Sequence, residues 1–309
     1  MRDPKTGPGG GKSSRLPQPG TASFQALAPG LYLTATPIGN AGDVTLRALK
    51  ILRECDAIVA EDTRVTSKLL AIHGISRPLL SYNDHNAPAM RPKLLAKLKE
   101  GARLALVSDA GTPLVSDPGH KLVRAAREAG IAVYPVPGAS AALAALTASG
   151  LPSDRFLFAG FLPPKQGARR SALETLAGIP ATLIFFEAPQ RLKETLSDMA
   201  DILGAREAAV ARELTKLHEE IRLGSLSELA AAYGETPPKG EITLVIGPPK
   251  EAKADAARVD ALLKRALPFM PVKAASDLVA EATGAARREV YDRALQLKAE
   301  AGAGDGPEE

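Results

Sequence analysis

Arg103-Leu-Ala-Leu-Val-Ser-Asp-Ala-Gly-Thr-Pro113 is an apolar run that stops abruptly in small and polar residues. Arg103–Ser108 reads as a buried strand, and the Asp-Ala-Gly-Thr-Pro that follows reads as the loop at its C-terminal end. The same unit recurs on both sides. Apolar runs at Leu31–Pro37, Ala57–Asp62 and Ile131–Val136 also end in loops, with amphipathic helical patterns near Val44–Arg53, Thr66–His73, Arg91–Glu100 and His120–Ala129. Strands alternating with helices imply parallel pairing, because each crossover returns the chain to the same edge. The first half is therefore expected to be an α/β domain over 30–150, closed by Ala141–Ala148.

Leu151-Pro-Ser-Asp154 reads as a hinge to a second α/β domain over 151–249. Its strands are expected near Phe156–Phe161, Thr182–Glu187, Ala208–Glu213, Ile221–Leu223 and Glu241–Gly247. Its helices are expected at Arg169–Ala177, Arg191–Leu203 and Leu226–Ala232, and Pro248-Pro249 ends it. Residues 250–300 read as helical: Ala274, Ala275, Leu278, Val279 and Ala282 form one apolar face, and Val290, Tyr291, Ala294 and Leu295 another. Gly284 stands between them, as in a helix-turn-helix or a helical cap. Residues 1–29 and 301–309 read as tails.

Composition closes off several function classes. The chain has 309 residues, 45% hydrophobic and 24% charged, which is ordinary for a globular protein. Cys55 is the single cysteine, so an intrachain disulfide and a Cys-based zinc site are excluded, and a cytoplasmic setting is expected. His73, His85, His120 and His218 lack ligand spacing, so no metal is expected. The net charge of +4 is concentrated in Arg2, Lys5, Lys12 and Arg15, opposed there by Asp3. Thr6–Ser13 misses a phosphate-binding loop by one residue, and Pro17 and Pro19 bar the helix it would need. Ala129–Ser153 carries no charge, but Pro135, Pro137 and Gly138 break it, so no membrane span is expected.

In an open α/β sheet, ligands gather outside the carboxyl ends of the strands. Small and polar residues stand there repeatedly: Thr36-Pro-Ile-Gly-Asn40, Ser108-Asp-Ala-Gly-Thr-Pro113, Ser116-Asp-Pro-Gly119 and Pro137-Gly-Ala-Ser-Ala141. Such stretches at three successive strand ends, the second continuing through Ser116–Gly119, point to a bound cofactor, although Pro-Gly turns also end strands without one. No G-x-G-x-x-G follows the first strand, which argues against a dinucleotide.

These segments, with Glu61-Asp-Thr-Arg64, resemble the tetrapyrrole methylase family, and within it the branch that acts on small-subunit ribosomal RNA. Gly160-Phe-Leu-Pro163, Phe186-Glu-Ala-Pro189 with Arg191, Arg212-Glu-Leu-Thr-Lys216 and Lys239-Gly-Glu241 extend the resemblance over about 30–247. The helical C-terminus is similar to the helix-turn-helix appendage of that branch. The pattern departs at Asn83-Asp-His-Asn-Ala87, where His-x-His-Asn-Glu is expected. The resemblance implies two α/β domains with S-adenosylmethionine in the cleft between them. It also implies 2′-O-methylation of a cytidine ribose in the decoding region of 16S rRNA within the small ribosomal subunit.

Under that resemblance the cofactor would lie against Pro37, Gly39 and Asn40, against Ser108, Asp109, Ala110, Gly111 and Thr112, and against Pro137, Gly138, Ala139, Ser140 and Ala141. The second domain would add Glu187, Ala188, Pro189, Arg212, Glu213, Leu214, Thr215 and Gly240. A ribose hydroxyl is a weak nucleophile and gains from a base or a nearby cation. Asp62 and Arg64 are candidates to orient substrate, although Asp62 and Thr63 are also good helix caps. Lys216, if desolvated, could titrate low enough to serve as a base. Lys165, Arg169 and Arg170, and Arg287 and Arg288 at the start of the last helix, are candidates to meet RNA phosphates. Rival readings are a tetrapyrrole-precursor C-methyltransferase of the same fold and a non-catalytic RNA-binding assembly factor. Dimerisation stays open.

Overall fold

The computed structural model describes residues 26–234, 237–249 and 256–302. The phosphate-loop look-alike and most of both expected tails lie outside these residues. The N-terminal tail boundary needs correction: Leu27 packs against the first core, and the Tyr32 hydroxyl donates to the Ala28 carbonyl at 2.7 Å. The chain divides into two compact units between Ser140 and Ala141.

The first unit runs β1 (Gly30–Thr34), α1 (Leu46–Glu54), β2 (Ala57–Ala60), α2 (Thr63–Ile72), β3 (Leu79–Ser81), α3 (Ala87–Lys99), β4 (Arg103–Val107), α4 (His120–Glu128) and β5 (Val133–Val136). Its strands form one sheet in the order β3-β2-β4-β1-β5, with every pair parallel. Parallel strands are covered on both faces, which is why these runs are continuously apolar instead of alternating. Ile58, Ala60, Ala105 and Val107 face a layer with Ala48, Ile51, Leu52 and Leu70. Ala57, Val59, Leu104 and Leu106 face the opposite layer with Leu94, Leu98, Leu122 and Ala126. Each fully buried Leu or Ile contributes about 1.5–3 kcal/mol. The sequence reading missed β3, whose three residues between Pro78 and Tyr82 are too few to show a period.

The second unit begins with α5 (Ala141–Ser149), then β6 (Phe156–Phe161), α6 (Gln166–Leu176), β7 (Thr182–Glu187), α7 (Leu192–Leu203), β8 (Glu207–Arg212), β9 (Glu220–Ser225), α8 (Leu226–Ala232) and β10 (Ile242–Ile246). The order is β6-β7-β10-β8-β9; β6 and β7 are parallel and the other pairs antiparallel. One face of this sheet packs Leu183, Phe185, Val210 and Leu244 against Leu173 of α6, Leu196 and Met199 of α7 and Leu226 of α8. Here the expected boundary at residue 150 is corrected. Helix α5 packs on β7, β8 and β10, so it opens the second unit and does not close the first. Its charge-free, alanine-rich sequence suits that buried position, with Ala142, Ala145 and Leu146 inside.

The C-terminal helices α9 (Ala256–Ala266), α10 (Val272–Thr283) and α11 (Arg287–Gly302) enclose a core of their own, with Val259, Leu263, Ala275, Val279, Val290, Ala294 and Leu297. Gly284 caps α10 with φ of 71°, the left-handed geometry that turns the chain into α11. Arg293 of α11 donates to Asp260 of α9 at 2.7 Å, fastening the outer pair. No helix among the described residues is long and apolar enough to cross a membrane.

Candidate active site

The strand-end loops of the first unit are locked to one another. Thr36 and Gly111 exchange backbone hydrogen bonds of 2.9 and 3.1 Å, joining the exits of β1 and β4. The Thr36 hydroxyl donates to the Ser108 carbonyl at 3.2 Å, and the Thr112 hydroxyl donates to the Ala139 carbonyl at 3.0 Å. The loop after β5 comes so close to β1 that a Cβ on Gly138 would stand 2.8 Å from the Cβ of Ala35. Gly138 is therefore required for the approach of two backbone segments. Around these locks Gly39, Asn40, Asp109, Ala110, Pro137 and Gly138 stay exposed, Pro37, Thr112, Ala139 and Ser140 are half-buried, and Ser108 and Gly111 are buried.

Backbone strain is concentrated in two loops. Among the described residues the non-glycine positions with positive φ are Leu114 (76°) and Ser116 (68°) after β4, and Glu213 (52°) and Thr215 (66°) after β8. Such geometry costs on the order of 1–3 kcal/mol per residue and clusters where function demands it. Both loops carry motifs singled out in the sequence.

Asp62 caps α2, accepting from the Arg64 N–H at 2.8 Å, and its carboxylate grips the Arg64 guanidinium at 2.6 Å. Those Arg64 contacts hold the Asp62 carboxyl down at about 2. A carboxylate so committed is a weak base, and the helix cap expected from the sequence is formed. Beside it, Asp62 N–H donates to Asp109 Oδ1 at 3.0 Å, and the backbone N–H of Asp109 supports the Glu61 carboxylate. Burial first, then Asp117, Asp109 and Asp84, push Glu61 up to about 7. Asp117 is also raised by burial, although the Ser108 hydroxyl donates to it.

The Glu61 shift makes a stability prediction. The folded chain keeps a proton that the unfolded chain releases between about pH 4.5 and 7, so stability falls as pH rises through that window. Glu61→Gln is expected to stabilise the protein at pH 8 by about 1–2 kcal/mol, after discounting for solvent screening, and to have no effect at pH 4. Thermal melts of both proteins at the two pH values check it.

In the second unit, Glu187 is buried and its carboxylate is consumed locally. It accepts from the Thr195 hydroxyl at 2.6 Å and from the Ala188 N–H at 2.8 Å, and it pairs with Arg191 at 3.2 Å. Arg191 also donates to the Leu162 carbonyl at 2.8 Å, tying the β6 exit to the β7 exit. Pro189 is half-buried in the turn that follows. Arg212 pairs with Glu220 at 3.0 Å and donates to the Lys239 carbonyl. Leu214 is buried, and the Thr215 N–H donates to Glu219 at 2.6 Å. Gly240 has φ of 100° and lies against the Glu213 side chain.

Lys216 bonds Glu213 at 2.9 Å and Glu241 at 3.1 Å. Burial lowers its affinity for a proton, but the two carboxylates outweigh burial and hold Lys216 above the ordinary lysine range. The expected low-titrating base is therefore corrected to a fixed cation. The cationic loop after β6 is corrected as well. Arg169 is 1% exposed, with Asp198 at 2.7 Å, and Arg170 bonds Asp198 and Asp201, each at 2.9 Å. They cement α6 to α7; Lys165 alone of the three is exposed. In the C-terminal helices Arg287 and Arg288 both face solvent. No cluster of His, Cys, Asp and Glu among the described residues is built to hold a metal ion.

Residues 30–230 match the family described as Tetrapyrrole (Corrin/Porphyrin) Methylases. The chain belongs to the tetrapyrrole methylase family. As a member it is a methyltransferase, and residues 253–298 match a second description, the RsmI C-terminal HTH domain. The helix-turn-helix reading of 250–300 is thereby supported over a plain cap. The family member called ribosomal RNA small subunit methyltransferase I from Mesorhizobium japonicum is 54% identical, covering 91% of this chain and 96% of its own. The protein of that name from Escherichia coli O157:H7 is 48% identical over 86% of this chain and 94% of its own.

Solved structures of family fold are more distant in sequence. Uroporphyrin-III-C-methyltransferase from Thermus thermophilus has a TM-score of 0.51 at 24% identity, covering 71% of this chain and 94% of that one. Diphthine synthase has a TM-score of 0.55 at 16% identity, covering 70% and 89%. At these identities the likeness establishes the fold alone. Glu61 and Asp117 lie within Glu61-Asp-Thr-Arg64 and Ser116-Asp-Pro-Gly119, where residue type and spacing alone assign them no role. Their position directly beyond strand ends was the available signal.

Proposed function

We propose that the chain transfers the methyl group of S-adenosylmethionine to the 2′ oxygen of a cytidine ribose in the decoding region of 16S rRNA, acting on the small ribosomal subunit in the cytoplasm. One observation carries the reading. A tetrapyrrole methylase domain and a C-terminal helix-turn-helix match occur together in a chain about half identical, over nearly its whole length, to proteins named for methylating small-subunit ribosomal RNA.

The first unit's residues fit the cofactor. Gly39, Asp109, Ala110 and Gly138 are exposed at these strand-end loops, where a nucleoside could lie, and locked loops need no reordering on binding. Asp109, exposed beside these loops, offers a carboxylate suited to a sulfonium or an ammonium. When bound, S-adenosylmethionine supplies an activated methyl on a sulfur leaving group. The chain's part is then positioning, since in-line displacement rewards fixed geometry above all. In the second unit, the Ala188-Pro189 turn, Arg212 to Thr215 and Gly240 stay assigned to the cofactor, through backbone, because the Glu187 and Glu213 carboxylates are committed.

Arg287 and Arg288 begin the helix that would meet RNA phosphates, with exposed Lys165 contributing from the β6 exit. Reversing both arginines to glutamate is expected to weaken binding to small ribosomal subunits at least about tenfold. It should also make the slope of log affinity against log salt shallower by about 1–2, since fewer counterions are released. Affinity for S-adenosylmethionine, measured by calorimetry, should not change. An unchanged salt slope would remove these residues from the RNA surface.

The function itself is tested by incubating the protein with labelled S-adenosylmethionine and, in separate reactions, intact small subunits or a tetrapyrrole precursor. Label is expected in 16S rRNA. Label in a tetrapyrrole instead would support the rival C-methyltransferase, and no binding of S-adenosylmethionine would leave an RNA-binding factor.

A further inference from the structure

The ends of α9 and α11 enclose a cavity of about 520 Å³, lined by Lys264, Leu267, Pro268, Leu297, Lys298 and Glu300. That volume lies within the range of small-ligand sites, about 300–1,000 Å³. Its floor is apolar, because Leu297 is buried in the helical core and Leu267 packs against that core. Its rim is cationic. Lys264 and Lys298 are exposed, and neither forms an ion pair among the described residues. The nearby acids are committed elsewhere. Glu300 pairs with Arg293 at 3.4 Å, and Asp260, one turn before Lys264, takes the Arg293 guanidinium at 2.7 Å. The Arg293 bond to Asp260 also ties α11 to α9, so the walls are set before any ligand arrives.

Two further features continue the site. Phe269, next in the chain after Pro268, is 86% exposed, an aromatic ring that the helical core leaves in water beside the cavity. Along α11, Arg287, Tyr291, Leu295 and Lys298 are all exposed. Their spacing of three or four residues places them on one helix face. The strip they form is about 16 Å long by the helical rise. It runs from an arginine assigned above to phosphate to the rim of the cavity.

We infer that this cavity takes one unpaired nucleotide of ribosomal RNA, its base on the Leu267, Pro268 and Leu297 floor, Phe269 stacked at the rim, and the flanking phosphates on Lys264 and Lys298. The inference rests on the reading of the substrate as small-subunit ribosomal RNA. An apolar floor alone suits any hydrophobic group. Two uncommitted cations beside it call for a ligand that is flat and apolar in the middle and anionic at both ends. An unpaired nucleotide has that form: its base splays from the strand and stacks on aromatic side chains, with a phosphate on either side. A paired base keeps its faces inside the duplex and cannot enter. The competing occupant, an acidic peptide, lacks a ring between its charges. The strip along α11 gives the strand a path, since Arg287 and Lys298 then meet phosphates of one chain a few nucleotides apart.

The test uses the full-length protein and a single-stranded RNA of mixed sequence, about eight nucleotides long, carrying one 4-thiouridine for photocross-linking. Cross-links mapped by mass spectrometry are expected in the peptides that hold Phe269 or Lys298. Phe269→Ala should weaken binding of this RNA about tenfold, the scale of one stacked base. It should leave binding of inorganic polyphosphate, which has charge and no base, unchanged. Lys264→Ala with Lys298→Ala should weaken both ligands. For the RNA, the slope of log affinity against log salt should become shallower by about 1.4, two contacts at about 0.7 each. All three side chains are exposed, so melting temperature and affinity for S-adenosylmethionine should match wild type. No binding of the RNA, equal RNA binding in Phe269→Ala, or cross-links confined to other elements would each overturn the proposal. So would polyglutamate binding weakened by the same factor in Phe269→Ala, which makes the occupant an acidic peptide, or self-association lost in that variant, which makes it a second copy. If the cross-link maps to the cavity but small subunits gain no methyl, the substrate reading fails and the nucleotide site stands. Methylated subunits with no cross-link here leave that reading intact and sink the site.

Discussion

Asp198→Ala is expected to lower the unfolding free energy by about 3–5 kcal/mol, because it leaves a buried guanidinium without its carboxylate. Arg169 is 1% exposed and Asp198 is 3% exposed at the side chain, and they meet at 2.7 Å. Glu194 lies 3.5 Å from Arg169 but is 70% exposed, so it cannot replace a desolvated partner. Asp198 also collects Arg170 and Gln166, so one deletion opens a network that joins α6 to α7. Arg170→Ala should cost far less, since that side chain is partly solvated. Replacing the pair together, Arg169→Met with Asp198→Leu, should recover most of the loss, because an apolar pair carries no desolvation cost. Urea unfolding gives the comparison. A single-mutant loss below about 1 kcal/mol would place the pair among ordinary surface bridges.

Gly138→Val is expected to cut turnover about 100-fold, since displacement by an ångström at a positioning loop has effects of that size. A Cβ at 138 would lie 2.8 Å from the Ala35 Cβ, so the loop after β5 must move away from β1. That movement pulls Ala139 from the Thr112 hydroxyl and disturbs the bridge between Thr36 and Gly111. Affinity for S-adenosylmethionine should fall, and melting temperature should fall with it, because the same contact serves packing and site. The cause can be isolated by a cycle. Gly138→Ala should be damaging, and Ala35→Gly in that background should restore binding by removing the colliding methyl. A folded Gly138→Val protein with wild-type affinity and turnover would show that the loop does not position the cofactor.

Residues whose role depends on local pattern were legible in the sequence. Continuous apolar runs announced the parallel sheet, and Thr36–Asn40, Ser108–Pro113 and Pro137–Ala141 announced the loops at its carboxyl edge. The spacing of Val279, Val290 and Ala294 announced the C-terminal helices. What failed depended on contacts distant in sequence. Helix α5 follows β5 directly, and only its packing on β7, β8 and β10 assigns it to the second unit. Arg169 sits in a charged, loop-like stretch, and its burial follows from Asp198, 29 residues away. Lys216 is held charged by Glu213, three residues before it, and by Glu241, which arrives from the β10 side. Glu61 lay next to a more conspicuous Asp62, and it is raised by burial first and then by carboxylates carried in after β3 and β4.

The proposed reaction is methyl transfer to a ribose oxygen of small-subunit ribosomal RNA. Its most direct test is nucleoside mapping by mass spectrometry, after incubating intact unmethylated small subunits with the protein and S-adenosylmethionine. The prediction is one added methyl on a cytidine of the decoding region, resistant to alkaline cleavage at the following phosphate because the 2′ oxygen is blocked. A methyl on a base, or no methyl on RNA while the protein still binds S-adenosylmethionine, would contradict ribose methylation.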